Sequence, residues 1–269
     1  MIETAKEAAL TAGDILLENF RKVSKNEIRK KARNDFLSYV DETSEKKIIS
    51  IIKQTFPQHS ILAEETGKSE NESDYQWIID PLDGTTNYLA GIPIFAVSIG
   101  LRYKDELILG VINDPVHKEL FWAEKGKGAF INDKKINVNS AKTLEESLLA
   151  TGFPFKVKHL LPEYIKAWQN TFLPSIGMRR MGAAAIDLAY VAAGRFDGFW
   201  EIGLSPWDVA AGAVIIREAG GAVSDFWNND RFLNIGYIVA DNGNIHKELL
   251  DIIQQVFPFY KSIKEGMKK

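Results

Sequence analysis

Apolar residues recur at helical spacing from the first residue, and "MIETAKEAALTAGDILLENF" predicts an amphipathic helix over roughly Ile2 to Phe20. A second helix is predicted over roughly Asp41 to Phe56, where Ile48, Ile49, Ile51, Ile52 and Phe56 form a broad apolar stripe. The period then shortens. "SILAEE" (60–65) and "YQWIID" (75–80) read as strands, and the stretch from Phe95 to Val138 reads as a meander with turns at "YKDE", "NDPVHK" and "KGKG". From about Ser140 strands and helices alternate. The order is strand "SLLATGF", a helix near 161–171, helix "GAAAIDLAYVAAG", strand "DGFWE" and helix "PWDVAAGAVIIREAGG", then strands "GAVSDF" and "GYIVAD" and a last helix from about Asn244. An α+β lobe over about 1–139 thus joins an α/β lobe over about 140–269. No Gly-, Pro- or Ser-rich linker, repeat or low-complexity tract separates them, so a single unit of two packed lobes is expected.

Composition narrows the function classes. The chain has 269 residues, enough for a large core, and 33 Lys and Arg against 36 Asp and Glu give a formal net charge of −3. No basic excess points to nucleic acid or to an anionic membrane, so neither is expected as a partner. Cysteine is absent, which excludes disulfides, thiolate catalysis and Cys-ligated metal, and fits a reducing compartment. The acids between the apolar residues of the first helix make it neither a signal peptide nor a membrane span, so a cytoplasmic location is expected.

Candidate chemistry centres on "WIIDPLDGTT" (77–86). Trp77, Ile78 and Ile79 suit a strand covered on both faces, and Asp80-Pro81 is expected to stop it. Asp80 and Asp83 then sit together at the strand's end. Crowded acids of like charge either take up a proton or share a cation, and hard oxygen ligands favour Mg²⁺. Asp-Pro and Asp-Gly are also common turn dipeptides, so this stretch by itself leaves both readings open. Further acids stand at other element ends. Glu64 and Glu65 finish the "ILAEE" strand, Asp208 lies in the first turn of a helix with Ser205 as N-cap and Pro206 at the first helical position, and Asp41 opens the second helix. His59, His117, His159 and His246 lack metal-ligand spacing and read as surface residues.

Two families compete for this pattern. Asp-Gly-Thr is similar to part of the haloacid-dehalogenase signature, but here the acids are spaced Asp80-x-x-Asp83, and one residue more in an extended chain turns a side chain to the opposite face. Over nearly its whole length the chain instead resembles the inositol monophosphatase family, and three blocks carry the resemblance. They are "AEET" (63–66), "WIIDPLDGTTNYLAGIPIFAVSIG" (77–100) and "GAAAIDLAYVAAGRFDGFWEIGLSPWDVAAGAVIIREAGG" (182–221), and "RRMGAAAIDLAYVAAGRFDGFWE" (179–201) looks most like the bacterial branch.

That resemblance implies a layered αβαβα sandwich and a lithium-sensitive, Mg²⁺-dependent phosphatase of inositol and sugar phosphates, expected as a homodimer. It implies that Glu64, Asp80 and the Leu82 carbonyl hold one Mg²⁺, that Asp80, Asp83 and Asp208 hold a second, and that a weaker third ion lies near Glu64 and Glu65. Thr85 paired with Asp41 would orient and deprotonate the attacking water, with Glu64 a further member of the catalytic set. Gly84 and Thr85 would offer N–H groups to the phosphate, and Asp83, Ala184, Glu201 and Asp208 would meet the substrate. Fructose-1,6-bisphosphatase activity, alone or alongside, is the nearest alternative, with Arg179 and Arg180 as a small basic patch for a second phosphate or a subunit contact. An alternative of another class is a regulatory or binding protein with a vestigial site.

Overall fold

The computed structural model describes residues 1–24, 26, 29–32 and 35–258. In chain order the elements begin with α1 (Ile2–Asn19), β1 (Arg29–Ala32), β2 (Asp35–Leu37), α2 (Tyr39–Thr55), β3 (Ser60–Ala63), β4 (Gly67–Lys68), β5 (Tyr75–Asp83) and α3 (Thr85–Leu89). The meander follows as β6 (Ala96–Tyr103), β7 (Glu106–Asp114), β8 (Glu119–Glu124), β9 (Ala129–Ile131) and β10 (Lys134–Ile136). Strands and helices then alternate: β11 (Leu148–Thr151), α4 (Leu161–Phe172), β12 (Gly177–Arg179), α5 (Ala184–Ala192), β13 (Gly198–Ile202) and α6 (Pro206–Glu218), then β14 (Ala222–Ser224), α7 (Phe232–Ile235), β15 (Tyr237–Asp241) and α8 (His246–Val256).

Five layers result. An eight-stranded sheet, ordered β10-β9-β8-β7-β6-β5-β3-β4, is antiparallel except where β3 runs parallel to β5. The helices α1 and α2 cover one face, burying Ala5, Ala8, Ala12, Leu16, Ile48 and Ile52 at helical spacing against Trp77, Ile79, Val97 and Ile99. On the other face lie α5 and α6, and beyond them a five-stranded sheet ordered β12-β11-β13-β15-β14. The outermost layer is α4 and α8, which close over Trp200, Phe226 and Val239. Because α6 is sandwiched between sheets and α5, every residue from Asp208 to Ile216 is buried, and its run of Ala210, Ala211, Gly212 and Ala213 allows close approach. This is the layered αβαβα arrangement expected from the sequence.

Several local expectations are corrected. Pro81 does not stop β5, which continues to Asp83: Asp80 pairs with Ser98 and Asp83 with Ala96, so one extra residue forms a bulge where proline's missing N–H matters least. In β3 the strand ends at Ala63 and places Glu64 and Glu65 in the following turn. Asp41 does not open α2. Ser38 is the N-cap and Asp41 is the third helical residue of a capping box. Two of the four histidines are not surface residues: His59 stacks between Phe56 and Tyr75 and accepts from Trp77 Nε1 at 3.1 Å. His246 bridges Asp241 Oδ2 (2.6 Å) and Ser224 Oγ (3.0 Å), tying the start of α8 to β14 and β15.

The packing of α6 makes a direct test of the layering. Ala211→Leu, which overfills the space between sheet and helix, is expected to destabilise the fold by about 1–3 kcal/mol. Urea unfolding checks it, and an unchanged midpoint would contradict the close packing of this layer.

Candidate active site

The bulge at the end of β5 turns the chain sharply. Gly84 adopts φ 86°, a left-handed conformation that side chains disfavour, and it leads directly into α3. The turn opens onto a cavity of about 350 Å³ at the junction of the layers. Of the residues singled out from the sequence, Glu64, Asp80, Leu82, Asp83, Gly84, Thr85, Ala184, Glu201 and Asp208 all line this cavity. Asp41 lies behind Thr85, whose Oγ1 is 3.3 Å from Asp41 Oδ1 and 3.0 Å from the Leu82 carbonyl.

Electrostatics define the acidic end. Burial pushes the Asp80 carboxyl well above the usual range, and Glu64, Asp83 and Asp208 push it in the same direction, against one hydrogen bond from the Leu82 N–H at 3.0 Å. Asp83 is raised to about 7 by burial and then by Asp208, opposed by the Ala185 N–H, which donates to its Oδ2 at 2.7 Å. Glu201 is raised to about 8 by burial and Asp208, with Arg180 opposing. No lysine or arginine acts on Asp80 or Asp83 among these causes, so the cluster must hold protons or a cation. Its donors are all oxygens, the chemistry that a hard divalent cation takes. Among the described residues no three acid or histidine side chains stand as a finished coordination shell, so an ion would have to draw these side chains inward.

The first turns of two helices deliver two of the acids by one device. Asp41 Oδ2 accepts from the backbone N–H and the hydroxyl of Ser38, at 2.9 and 2.7 Å, and Asp208 Oδ2 accepts from the Ser205 N–H at 2.7 Å. Each carboxylate is thereby fixed by the helix it caps.

Sequence reasoning missed the groups that hold the acids in place. Glu45, fully buried, accepts from the N–H groups of Glu65 (2.8 Å) and Thr66 (2.9 Å), so one side chain clamps the turn bearing Glu64. Ser44 Oγ donates to the Pro81 carbonyl at 2.9 Å and fixes the bulge. The signal was present: Asp41, Ser44, Glu45, Ile48 and Ile52 share one helical face, so the apolar stripe of α2 continues as a buried polar one. Also missed were Asp187 and the rim residues Phe153, Phe155 and Lys156, which line the same cavity. Arg180 lies 5.2 Å from the Phe153 ring and Lys156 5.8 Å from the Phe155 ring. Glu201 rests directly on Gly152, where a Cβ would come within 2.0 Å of its carboxylate.

Comparison with known proteins places the chain. A family profile described as the inositol monophosphatase family matches residues 1–257. The chain is similar to the Nus factor SuhB of Escherichia coli strain K12, 45% identical over 251 residues that cover 93% of this chain and 94% of that protein. It is likewise similar to the Nus factor SuhB of Pseudomonas aeruginosa, 43% identical over 263 residues covering 96% and 97%. Among solved structures, the extragenic suppressor protein suhB of Bartonella henselae superposes with a TM-score of 0.91 at 39% identity, over 94% of this chain and 98% of that one. An inositol monophosphatase from Anabaena superposes with a TM-score of 0.85 at 42% identity, over 96% of each.

Glu45→Gln, which turns an amide N–H₂ toward one of the two N–H groups, is expected to destabilise the protein by about 2 kcal/mol or more. It should also speed amide exchange at Glu65 and Thr66, and unchanged exchange there would refute the clamp. The acids make a second prediction. A carboxyl whose folded pKa lies above its unfolded value contributes stability that is fully present below the ordinary carboxylate range and is lost as pH rises through the folded values near 7 for Asp83 and 8 for Glu201. Thermal unfolding in chelator should therefore show lower stability at about pH 9 than at about pH 5, with a divalent cation narrowing the gap, whereas a slope of opposite sign would count against the buried cluster.

Proposed function

Since the chain belongs to the inositol monophosphatase family, we propose that it is a Mg²⁺-dependent phosphomonoesterase acting on inositol monophosphate and related sugar phosphates, with residues 1–269 as one catalytic unit of two packed lobes. The observation that carries this reading is the half-buried Asp41–Thr85 hydrogen bond beside four converging acids. Glu64, Asp80, the Leu82 carbonyl, Asp83 and Asp208 would hold two Mg²⁺ ions and a weaker third. When bound, these ions neutralise phosphate charge, lower the pKa of the attacking water and stabilise the leaving oxygen.

The remaining work falls to the protein's own groups. Thr85, donating to Asp41, turns its oxygen lone pair toward a water; as that water attacks phosphorus, the Thr85 oxygen accepts the water's proton and its own hydroxyl proton passes to Asp41, which ends the step as a neutral carboxyl. The N–H groups of Gly84 and Thr85, at the start of α3, receive phosphate oxygens as charge builds on them. Glu64 completes the catalytic set from the turn held by Glu45. On the organic side, the backbone of Ala184 and the carboxylate of Glu201 orient the ring hydroxyls. No covalent enzyme intermediate is involved.

A second substrate reading, fructose 1,6-bisphosphate, is favoured by the Arg180 and Lys156 cations that line the cavity and suit a second phosphate. A reading of another class draws on the name Nus factor carried by the relatives: a binding or regulatory role, alone or beside catalysis. The intact set Asp41, Glu64, Asp80, Asp83, Thr85 and Asp208 argues against a vestigial site. A homodimer is supported by the exposed apolar side chains Leu161, Ile165, Phe172, Leu173 and Ile176 on and just beyond α4. No helix among the described residues is long and apolar enough to cross a membrane, and we assign the protein to the cytoplasm.

Phosphate release from inositol 1-phosphate and fructose 1,6-bisphosphate, with and without Mg²⁺, tests the proposal. Asp80→Asn should abolish turnover, and Thr85→Ala should lower kcat by ~10²-fold while Mg²⁺ binding persists. Full activity in Asp80→Asn, or release independent of divalent cation, would refute the mechanism.

A further inference from the structure

The cavity contains a carboxylate that neither the acid cluster nor the Glu201 contact uses. Asp187 stands in the first turn of α5 and lines the cavity beside Glu201, yet it is only 1% exposed and its Oδ1 has no hydrogen-bond partner. Three acids among the described residues carry a buried oxygen without a donor, Glu163, Asp187 and Asp197, and of these Asp187 alone lines the cavity. A buried acceptor without a donor is unfavourable and calls for a ligand or a function.

The surroundings choose the kind of donor. Burial, and after it Glu201 and Asp83, raise the Asp187 carboxyl well above the ordinary carboxylate range, with Arg180 opposing. An anionic group would be repelled by the two acids. A cationic group would meet the guanidinium already present. A neutral hydroxyl suits this environment, because it supplies the missing proton donor and adds no net charge. Glu201 is set for the same task, since its carboxylate lies flat on Gly152 and faces the cavity from β13 while Asp187 faces it from α5.

We propose that Asp187 is a second hydroxyl acceptor beside Glu201, so that the site selects phosphate esters of polyols offering two hydroxyl donors on the side away from the phosphate. The inference rests on the phosphatase reading and narrows its substrate class. An ester whose organic part lacks hydroxyls leaves both carboxylates unmet, and a site built to accept hydrogen bonds discriminates against such a ligand.

Asp187→Leu replaces the acceptor with a larger apolar side chain, and Asp187→Asn keeps a carbonyl oxygen there at the same size. Relative to wild type, kcat/KM for inositol 1-phosphate should fall at least tenfold further than kcat/KM for p-nitrophenyl phosphate in Asp187→Leu, mostly through KM, with partial recovery in Asp187→Asn. Equal losses on the two substrates would reduce Asp187 to a structural role and overturn the proposal. A second measurement needs no turnover: the Kd of myo-inositol, by saturation-transfer NMR in the presence of Mg²⁺ and inorganic phosphate, should weaken at least tenfold in Asp187→Leu. An unchanged Kd, or no binding of myo-inositol to the wild type, would also overturn it. If neither ester is hydrolysed by the wild type, the phosphatase reading fails, and the myo-inositol Kd still decides the role of Asp187.

Discussion

Like-charge repulsion among buried carboxylates is the constraint around which this fold is arranged. Glu64, Asp80, Asp83 and Asp208 come from a turn, a bulged strand end and a helix start, and none of the segments could bring its acid there alone. Holding them together opposes folding unless the charge is answered, so the layers must be stiff enough to carry the strain. The close packing of α6 between two sheets supplies that stiffness for Asp208, and the eight-stranded sheet supplies it for Asp80. Hydrogen bonds from backbone N–H groups answer part of the charge at Asp80, Asp83 and Asp208, and the remainder is what a cation or protons would have to answer.

The means of support are economical. Ser38 with Asp41 and Ser205 with Asp208 are two copies of one capping device, each of which completes a helix start and fixes a carboxylate at the same time. One turn further along α2, Ser44 and Glu45 reach the bulge of β5 and the turn after β3. Asp83 accepts from the start of α5, so the acidic end of the cavity and the helix carrying Ala184 and Asp187 share a hydrogen bond. A shift at one end is therefore felt at the other, through a bonded path and not through bulk flexibility.

Much of this was legible in the chain. Helical and strand periods located α1, α2, the meander and the alternating strands and helices that follow it, and the three blocks resembled their family closely enough to nominate residues that do line one cavity. What escaped reading had physical causes. A glutamate on an amphipathic helix looks like solvent-facing charge, so Glu45 was invisible until the turn it clamps was seen beside it. Asp187 lies among alanines whose spacing signals burial without saying what an acid there would face. Pro81 suggested a strand end because sequence shows a missing donor but cannot show a bulge that does not need one. The partly buried histidines were misjudged for a similar reason, since their partners Tyr75, Trp77, Asp241 and Ser224 come from other elements.

The rim of aromatic and cationic side chains has an evolutionary consequence. Phe153, Phe155 and Lys156 belong to the loop after β11, and Arg180 follows β12, whereas the four central acids and Thr85 come from other segments of the chain. Drift in the rim can therefore explore new leaving groups while the hydrolytic apparatus stays intact. Separating the two tasks along the chain makes the scaffold evolvable: a descendant can change its diet without first losing its teeth.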